Sequence, residues 1–256
     1  MNPTYYRIEI TRVIRDVVTM FFVAVLPAIL YIIFGAVQSY GEMEFGNGNV
    51  AFYVMVGMAA YGAITATVGV GGTAAVEQMQ GWGRQLGLTP MRDSALVLTK
   101  AGVGFTISLI PVAIIYAIGA FTGAEAEPHV WALSAAVVVL GAAVFSFYGL
   151  LAGYLFRSEG AVAAASGSLV ILGFLGNVFF PLSGVLLEIA RFTPLYGYVA
   201  LARYPQTDGE PAMMGPPADE VPAADPLWAL VLNLVLWASL FIVGTIVLAR
   251  RGRARQ

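Results

Sequence analysis

The chain alternates between long stretches without a charged residue and short polar segments. Six runs contain no Asp, Glu, Lys or Arg, namely 17–41, 45–76, 101–124, 128–156, 160–187 and 226–249. A helix of about 20 apolar residues crosses the hydrocarbon core of a bilayer, and every run is longer than that. Only helices and closed barrels satisfy all their backbone hydrogen bonds in lipid. The runs lack the period-2 alternation of barrel strands, so we expect helices. The pattern predicts an all-α membrane protein with six transmembrane helices.

The polar segment that precedes the first run has the periodicity of an amphipathic helix. In residues 3–16, continued to residue 17, one helical face carries Tyr6, Ile10, Val13, Ile14 and Val17. The other face carries Arg7, Thr11, Arg12 and Arg15. This pattern favours a helix that lies in the membrane interface, and the alternative is a short charged tail that anchors the first span.

A second polar segment separates the last two runs. Residues 205–226 are rich in Pro and acidic residues and are too polar to pack a core of their own. Such a composition predicts a mobile loop outside the membrane.

Composition supports the membrane class and narrows the chemistry. Apolar residues make up 59% of the 256 and charged residues only 11%, whereas soluble domains have about 25% charged residues. The chain has no Cys, and its single histidine, His129, has no partner for a zinc site. The net charge is −2. This net charge argues neither for nor against nucleic acid. We predict no metal site, no cofactor bound by this chain and no nucleic-acid partner.

Basic residues predict the orientation of the spans. If the N-terminus is cytoplasmic, eleven Lys and Arg fall on the inside segments and two on the outside segments. The two outside residues are Arg191 and Arg203. Both termini and the segment 77–90 are then predicted to be cytoplasmic.

Catalytic motifs are absent from the sequence. There is no G-x-x-x-x-G-K-[ST] phosphate-binding loop, and the only lysine is Lys100. No charged residue lies in the middle of a predicted span, which is unusual for ion-coupled carriers. Weak candidates for contact with a substrate are Asn177, Ser146 and Thr65, although such residues more commonly form hydrogen bonds between helices. The chain is predicted not to be an enzyme.

The segment EQMQGWGRQLGLTP, 77–90, is a short polar stretch between two predicted spans. It resembles the loop between helices 2 and 3 of ABC-2 type transporter permeases, which shows an acidic residue, Gly, Leu, Thr-Pro and a later Lys. The residues that match are Glu77, Gly81, Leu86, Leu88, Thr89, Pro90 and Lys100. In that family the loop is the coupling helix, so the resemblance implies that Glu77, Gly81, Trp82, Arg84, Leu86 and Pro90 contact an ATPase.

A second match to this family lies after the fifth run. FFPLSGVLLEIARFTPLYGYVALAR, 179–203, contains a Pro that ends a helix, a second Pro-Leu pair and a basic residue. These are Pro181, Pro194, Leu195 and Arg203. Gly197 departs from the His, Arg, Ser or Tyr that the family usually has there. The resemblance implies short re-entrant helices at the outer face over 185–204.

The resemblance covers 1–256 as a single ABC-2 type transmembrane domain. It implies a permease of an ATP-driven exporter in the bacterial cytoplasmic membrane. The permease would form a homodimer or pseudo-dimer with a second permease copy, and two copies of a separate cytoplasmic ATPase would bind ATP and Mg. Apolar spans without buried charge suit a hydrophobic or amphipathic substrate, such as a drug, a lipid or a lipid-linked compound. Two alternatives remain open: a secondary carrier or channel, and a membrane scaffold or assembly protein.

Overall fold

The structure is a computed structural model that describes residues 3–79, 93–156, 159–212 and 222–253. Most of these residues are helical. The helices are α1 (Pro3–Arg15), α2 (Val17–Ala36), α3 (Val50–Met79), α4 (Asp93–Phe121), α5 (Pro128–Phe156), α6 (Glu159–Leu175), α7 (Gly184–Ala190), α8 (Pro194–Thr207) and α9 (Leu227–Arg253). A short antiparallel hairpin, β1 (Glu44–Phe45) and β2 (Gly48–Asn49), precedes α3.

Five of these helices are long and apolar enough to cross a membrane, namely α2, α3, α4, α5 and α9. Helix α2 includes two π-helical segments. Helices α7 and α8 are bent by 94° relative to each other, and they add a sixth candidate span if the pair counts as one. Helix α6 is apolar but has only 17 residues. The protein is thus a helical multi-pass membrane protein, as the charge-free runs predict.

The predicted apolar face of α1 packs on the protein only in part. Tyr6, Ile10 and Val13 lie against buried side chains of α2, α3 and α4. The other two residues of that predicted face, Ile14 and Val17, are 47% and 79% exposed. The packed face is rotated away from these two residues, so they remain on the surface.

The fifth charge-free run, 160–187, does not form one continuous helix. Helix α6 ends at Leu175, and Asn177 then adopts a left-handed backbone with φ of 58°. The side-chain Oδ1 of Asn177 accepts the backbone N–H of Leu182 at 2.9 Å. Asn tolerates this conformation and can satisfy the turn with its own amide. Hydropathy alone does not reveal a turn whose polar groups are satisfied locally.

The acidic segment 205–226 differs from a free loop at both ends. Helix α8 continues to Thr207, three residues into the segment. At the other end Asp225 is buried, and its Oδ1 lies 2.9 Å from Nε of Arg191. Residues 213–221 lie outside the described residues, and that 205–226 forms a mobile external loop stays a prediction.

Helix α3 is the central element of the bundle. Within its most apolar window 89% of the residues are buried, compared with 17% for α9. Glycines let α3 and α5 approach at backbone distance: a Cβ at Gly71 would lie 2.2 Å from the carbonyl oxygen of Ser146. A Cβ at Gly149 would lie 2.2 Å from the carbonyl oxygen of Val68. Small residues at such contacts are the usual means of helix association in membranes.

We predict that Gly71→Ala destabilises the protein by about 1–3 kcal/mol, because the added methyl forces α3 and α5 apart. The matched control is Gly69→Ala on the same helix, where an added Cβ meets nothing within 4 Å. The control should be neutral or slightly stabilising, since Ala is the better helix former. Thermal unfolding of the detergent-solubilised variants measures both effects, and equal melting temperatures would contradict the close α3–α5 packing.

Candidate functional site

Four charged side chains meet where α1 lies against the end of α3 and the first turns of α4. Lys100 Nζ on α4 donates to Glu9 Oε2 on α1 at 2.7 Å and to Glu77 Oε2 on α3 at 2.6 Å. Arg12 on α1 donates from Nη1 to Oε1, the other carboxylate oxygen of Glu77. We call Glu9, Arg12, Glu77 and Lys100 the charge cluster. It joins three helices at the base of segment 80–92, which connects α3 to α4.

Burial divides the charge cluster into an inner and an outer part. The side chains of Glu9, Glu77 and Lys100 are 7%, 15% and 14% exposed. The side chain of Arg12 is 60% exposed. Attraction between charges is stronger where water is excluded, so the contacts of Lys100 are the strong ones. Two carboxylates and two cations leave the cluster with no net charge.

The position of Glu9 follows from the periodicity of α1. Glu9 lies three residues after Tyr6 and four before Val13, so helical spacing places all three on the packed face. A carboxylate on that face needs a cation and hydrogen-bond donors. Lys100 supplies both, because its ammonium group has three donors and can serve two carboxylates.

Arg12 stays charged at the exposed edge of the cluster. Its hydrogen bond to Glu77 raises the pKa of Arg12 above the ordinary value, and this outweighs the opposing effect of partial burial. Arg12 is therefore a permanent cation over the physiological pH range. It connects α1 to α3 from the solvent side.

Of the predicted coupling residues, the structure describes only the first. Glu77 lies in the charge cluster together with Lys100, which belongs to the same sequence match. The other predicted residues, Gly81, Trp82, Arg84, Leu86 and Pro90, lie outside the described residues. Sequence reasoning missed Glu9 and the pairing of Arg12, although an acidic residue at helical spacing from Tyr6 and Val13 was a usable signal.

At the other end of α3 a single buried arginine joins three elements. Arg203 on α8 is 3% exposed. It donates from Nε to Tyr53 O at 3.1 Å, from Nη1 to Asn177 O at 2.7 Å and from Nη2 to Val178 O at 3.3 Å. Its guanidinium carbon also lies 3.7 Å from the centroid of the Tyr53 ring. Arg203 therefore ties α8 to the start of α3 and to the turn after α6.

Neighbouring residues make room for this arginine. A Cβ at Gly57 would lie 2.1 Å from Nη2 of Arg203, so a larger residue there would displace the guanidinium group. Pro194 is the first residue of α8, a position where a missing N–H costs nothing, and Leu195 is fully buried. Pro181 lies in the turn between α6 and α7. The second sequence match thus falls on the start of α8, its buried arginine and the turn before α7.

A comparison with protein families identifies the family of the chain. A profile of the ABC-2 type transporter family matches residues 4–206. The chain belongs to the ABC-2 type transporter family. The comparison with curated protein sequences gave no match.

The family match spans α1 to α8, so it includes both the charge cluster and Arg203. Membrane domains of this family are permease-type subunits of ABC transporters and generally lack an ATPase site of their own. Such permeases typically work in the lipid bilayer with an ABC ATPase. The protein is therefore an ABC permease domain.

The three weak substrate candidates of this ABC-2 permease are engaged in local hydrogen bonds. Thr65 Oγ1 donates to Tyr61 O at 2.8 Å, and Ser146 Oγ donates to Ala143 O at 2.7 Å. Asn177 closes the turn after α6. Their contact with a substrate stays a prediction.

An open groove of about 310 Å³ lies elsewhere on the surface of the permease, among α5, α6, α8 and α9. Its lining is mostly apolar and consists of Tyr148, Ser168, Ile171, Leu172, Pro194, Trp237 and Phe241. None of the three substrate candidates belongs to this lining. A hydrocarbon group suits such walls better than a polar one.

We predict that Lys100→Met destabilises the permease by about 3 kcal/mol or more, because it leaves two poorly exposed carboxylates without their shared cation. Arg12→Gln is the matched control, and it should cost about 1 kcal/mol or less because the Arg12 side chain is largely exposed. The measurement is thermal unfolding in detergent.

A double variant separates lost charge pairing from lost packing. Glu9→Gln combined with Lys100→Met leaves Glu77 paired with Arg12 and removes the other carboxylate, so part of the stability should return. Equal losses for Lys100→Met and Arg12→Gln, or no recovery in the double variant, would contradict the central role of Lys100.

Proposed function

We propose that this permease is the membrane subunit of an ATP-driven exporter that moves a hydrophobic or amphipathic substrate across the bacterial cytoplasmic membrane. Two copies of a separate ATPase, which bind ATP and Mg, supply the energy. Two permease copies form the pathway as a homodimer. The substrate class includes drugs, lipids and lipid-linked compounds.

The charge cluster is the observation that carries this proposal. Segment 80–92 joins α3 to α4, and the cluster ties the helix ends on both sides of it to α1. A force applied to this segment would therefore reach three helices through Glu77 and Lys100. In energetic terms, the nucleotide-bound ATPase must bind one arrangement of these helices better than the other. Segment 77–90 is then the coupling element, as the resemblance implies.

Contacts at the other end of the bundle support the view that its outer part moves as a rigid unit. Arg203 binds α8 to α3 and to the turn after α6, so these elements move together. In the proposal α7 and α8 are short re-entrant helices at the outer face, and both termini are cytoplasmic. The excess of basic residues on α1, on the stretch from the end of α3 to the start of α4 and at the C-terminus supports this orientation.

Two features of the described helices support an apolar substrate. The buried cation Arg203 is surrounded by carbonyl oxygens and leaves no exposed charge to a ligand. The open groove among α5, α6, α8 and α9 is mostly apolar. Both observations favour a substrate with hydrocarbon groups over a small ion.

The coupling role predicts that Glu77→Gln and Trp82→Ala abolish or strongly reduce ATP-driven transport while the permease still inserts and folds. Trp82→Ala should also weaken assembly with the ATPase by about 2 kcal/mol or more, as expected for a buried aromatic anchor. Substrate uptake into inverted vesicles and co-purification with the ATPase measure the two effects.

The matched control is Glu127→Gln, which changes an exposed acidic side chain between α4 and α5. It should transport at the rate of the parent protein. The purified permease alone should neither bind nor hydrolyse ATP. Parent-like transport by Glu77→Gln and Trp82→Ala with the ATPase still bound would refute the coupling role.

The orientation predicts a labelling pattern for single cysteines, which are easy to place in a chain without Cys. Glu127→Cys should react with an impermeant thiol reagent in intact cells, because its side chain is exposed on the outer side. Gly83→Cys and Ala254→Cys should react only after the membrane is opened. Labelling of position 83 in intact cells would reverse the orientation.

A further inference from the structure

The surface of α1 that faces away from the bundle carries a basic stripe. Arg7, Thr11 and Arg15 are spaced by four residues, so they lie along one side of the helix. Arg7 and Arg15 are exposed, and Thr11 Oγ1 donates back to Arg7 O at 2.7 Å. The Cα atoms of Arg7 and Arg15 are about 12 Å apart along the helix axis, since eight residues each rise about 1.5 Å. We call Arg7 and Arg15 the basic stripe.

Within the described part of the chain, neither arginine of the basic stripe forms an ion pair. Glu9 is buried and bound to Lys100. Asp16 is next in sequence, but its carboxylate accepts Thr19 N at 3.1 Å and Thr19 Oγ1 at 2.7 Å, and these bonds lower the pKa of Asp16. Asp16 thus stays ionised at the end of α1, but the two exposed arginines outnumber it, and the outward surface of α1 carries a net positive charge.

Exposed apolar side chains accompany the basic stripe. Ile8 and Ile14 of α1 are 58% and 47% exposed. Val17 and Val18, at the start of the first spanning helix, are 79% and 68% exposed. Water would be a poor solvent for this combination, whereas the boundary between lipid headgroups and acyl chains suits it. Arginine can reach the headgroups while its own methylene groups stay with the apolar neighbours.

We propose that the basic stripe binds the phosphate groups of anionic phospholipids. A guanidinium group recognises phosphate through two parallel hydrogen bonds, and two such groups that form no ion pair within the described residues give a preference for anionic over zwitterionic lipid. A soluble acidic partner fits the charges but leaves the four exposed apolar side chains in water. The inference rests on the proposed location of α1 at the membrane interface.

The same helix connects bound lipid to the charge cluster. Arg12 lies on α1 between the two arginines of the stripe, and it contacts Glu77 next to segment 80–92. Lipid that fixes the position of α1 therefore acts on a helix that the cluster ties to α3 and α4. Anionic lipid is thereby a regulator of the proposed coupling site.

The test uses the Cys-free chain with one cysteine, Ile14→Cys, labelled with an environment-sensitive fluorophore and reconstituted in phosphatidylcholine vesicles that contain phosphatidylglycerol. Brominated acyl chains quench the fluorophore and are placed either on the phosphatidylglycerol or on the phosphatidylcholine. We expect stronger quenching, at equal mole fraction, by the brominated phosphatidylglycerol. Arg7→Gln with Arg15→Gln should lower this preference by about fivefold per arginine removed.

The control variant, Arg7→Lys with Arg15→Lys, keeps the charge and should keep most of the preference. Thermal unfolding in detergent checks that all variants remain folded. Equal quenching by both lipids, or an unchanged preference in the glutamine variant, would overturn the lipid site. Absence of quenching by either lipid would overturn it as well, by removing α1 from the interface. The ATP-driven transport assay tests the proposed function independently of these outcomes.

Discussion

One ammonium group, Lys100 Nζ, holds three helices together at one end of the bundle through contacts of 2.7 Å and 2.6 Å with Glu9 and Glu77. Two carboxylates brought to one poorly hydrated site repel each other unless a cation lies between them. Helix α1 has 13 residues, and helices of that length are marginal in isolation. Its position therefore depends on packing and on this shared cation, and so does the geometry at the base of segment 80–92.

The two ends of α3 use different cations for a physical reason. Lys100 is a compact group with three donors, which suits two carboxylates that approach from different helices. Arg203 has a planar fork of donors, which suits the carbonyl oxygens of Tyr53, Asn177 and Val178. Those of Asn177 and Val178 follow the end of α6, where carbonyl groups lack helical partners. One end is thus held by charge pairing and the other by satisfaction of backbone acceptors.

Sequence alone predicted the helical class and the spanning segments α2, α3, α4, α5 and α9. Each corresponds to a run of 24 residues or more without charge, and such runs are stable in lipid because no charged group has to be desolvated. It did not predict the end of α6, since the turn at Asn177 is built from one side chain within an apolar run. It also missed the burial of Glu9, because an acidic residue on a short helix is usually exposed. Its spacing from Tyr6 and Val13 placed it on the packed face, but the sequence did not show that Lys100 lies opposite. The family motifs indicated Glu77 and Arg203, but hydropathy could not show what these side chains contact.

The two cations on Glu77 differ in how easily they can be released. Arg12 is largely exposed, so its contact with Glu77 is screened by water and contributes little to stability. Lys100 is poorly exposed, and its removal leaves buried charge behind. The contact between Arg12 and Glu77 can therefore break at small energetic cost, whereas the contacts of Lys100 with Glu9 and Glu77 cannot. In the proposed exporter, an ATPase that pulls on the segment beside Glu77 would break the Arg12 contact first, while Lys100 keeps α1, α3 and α4 together.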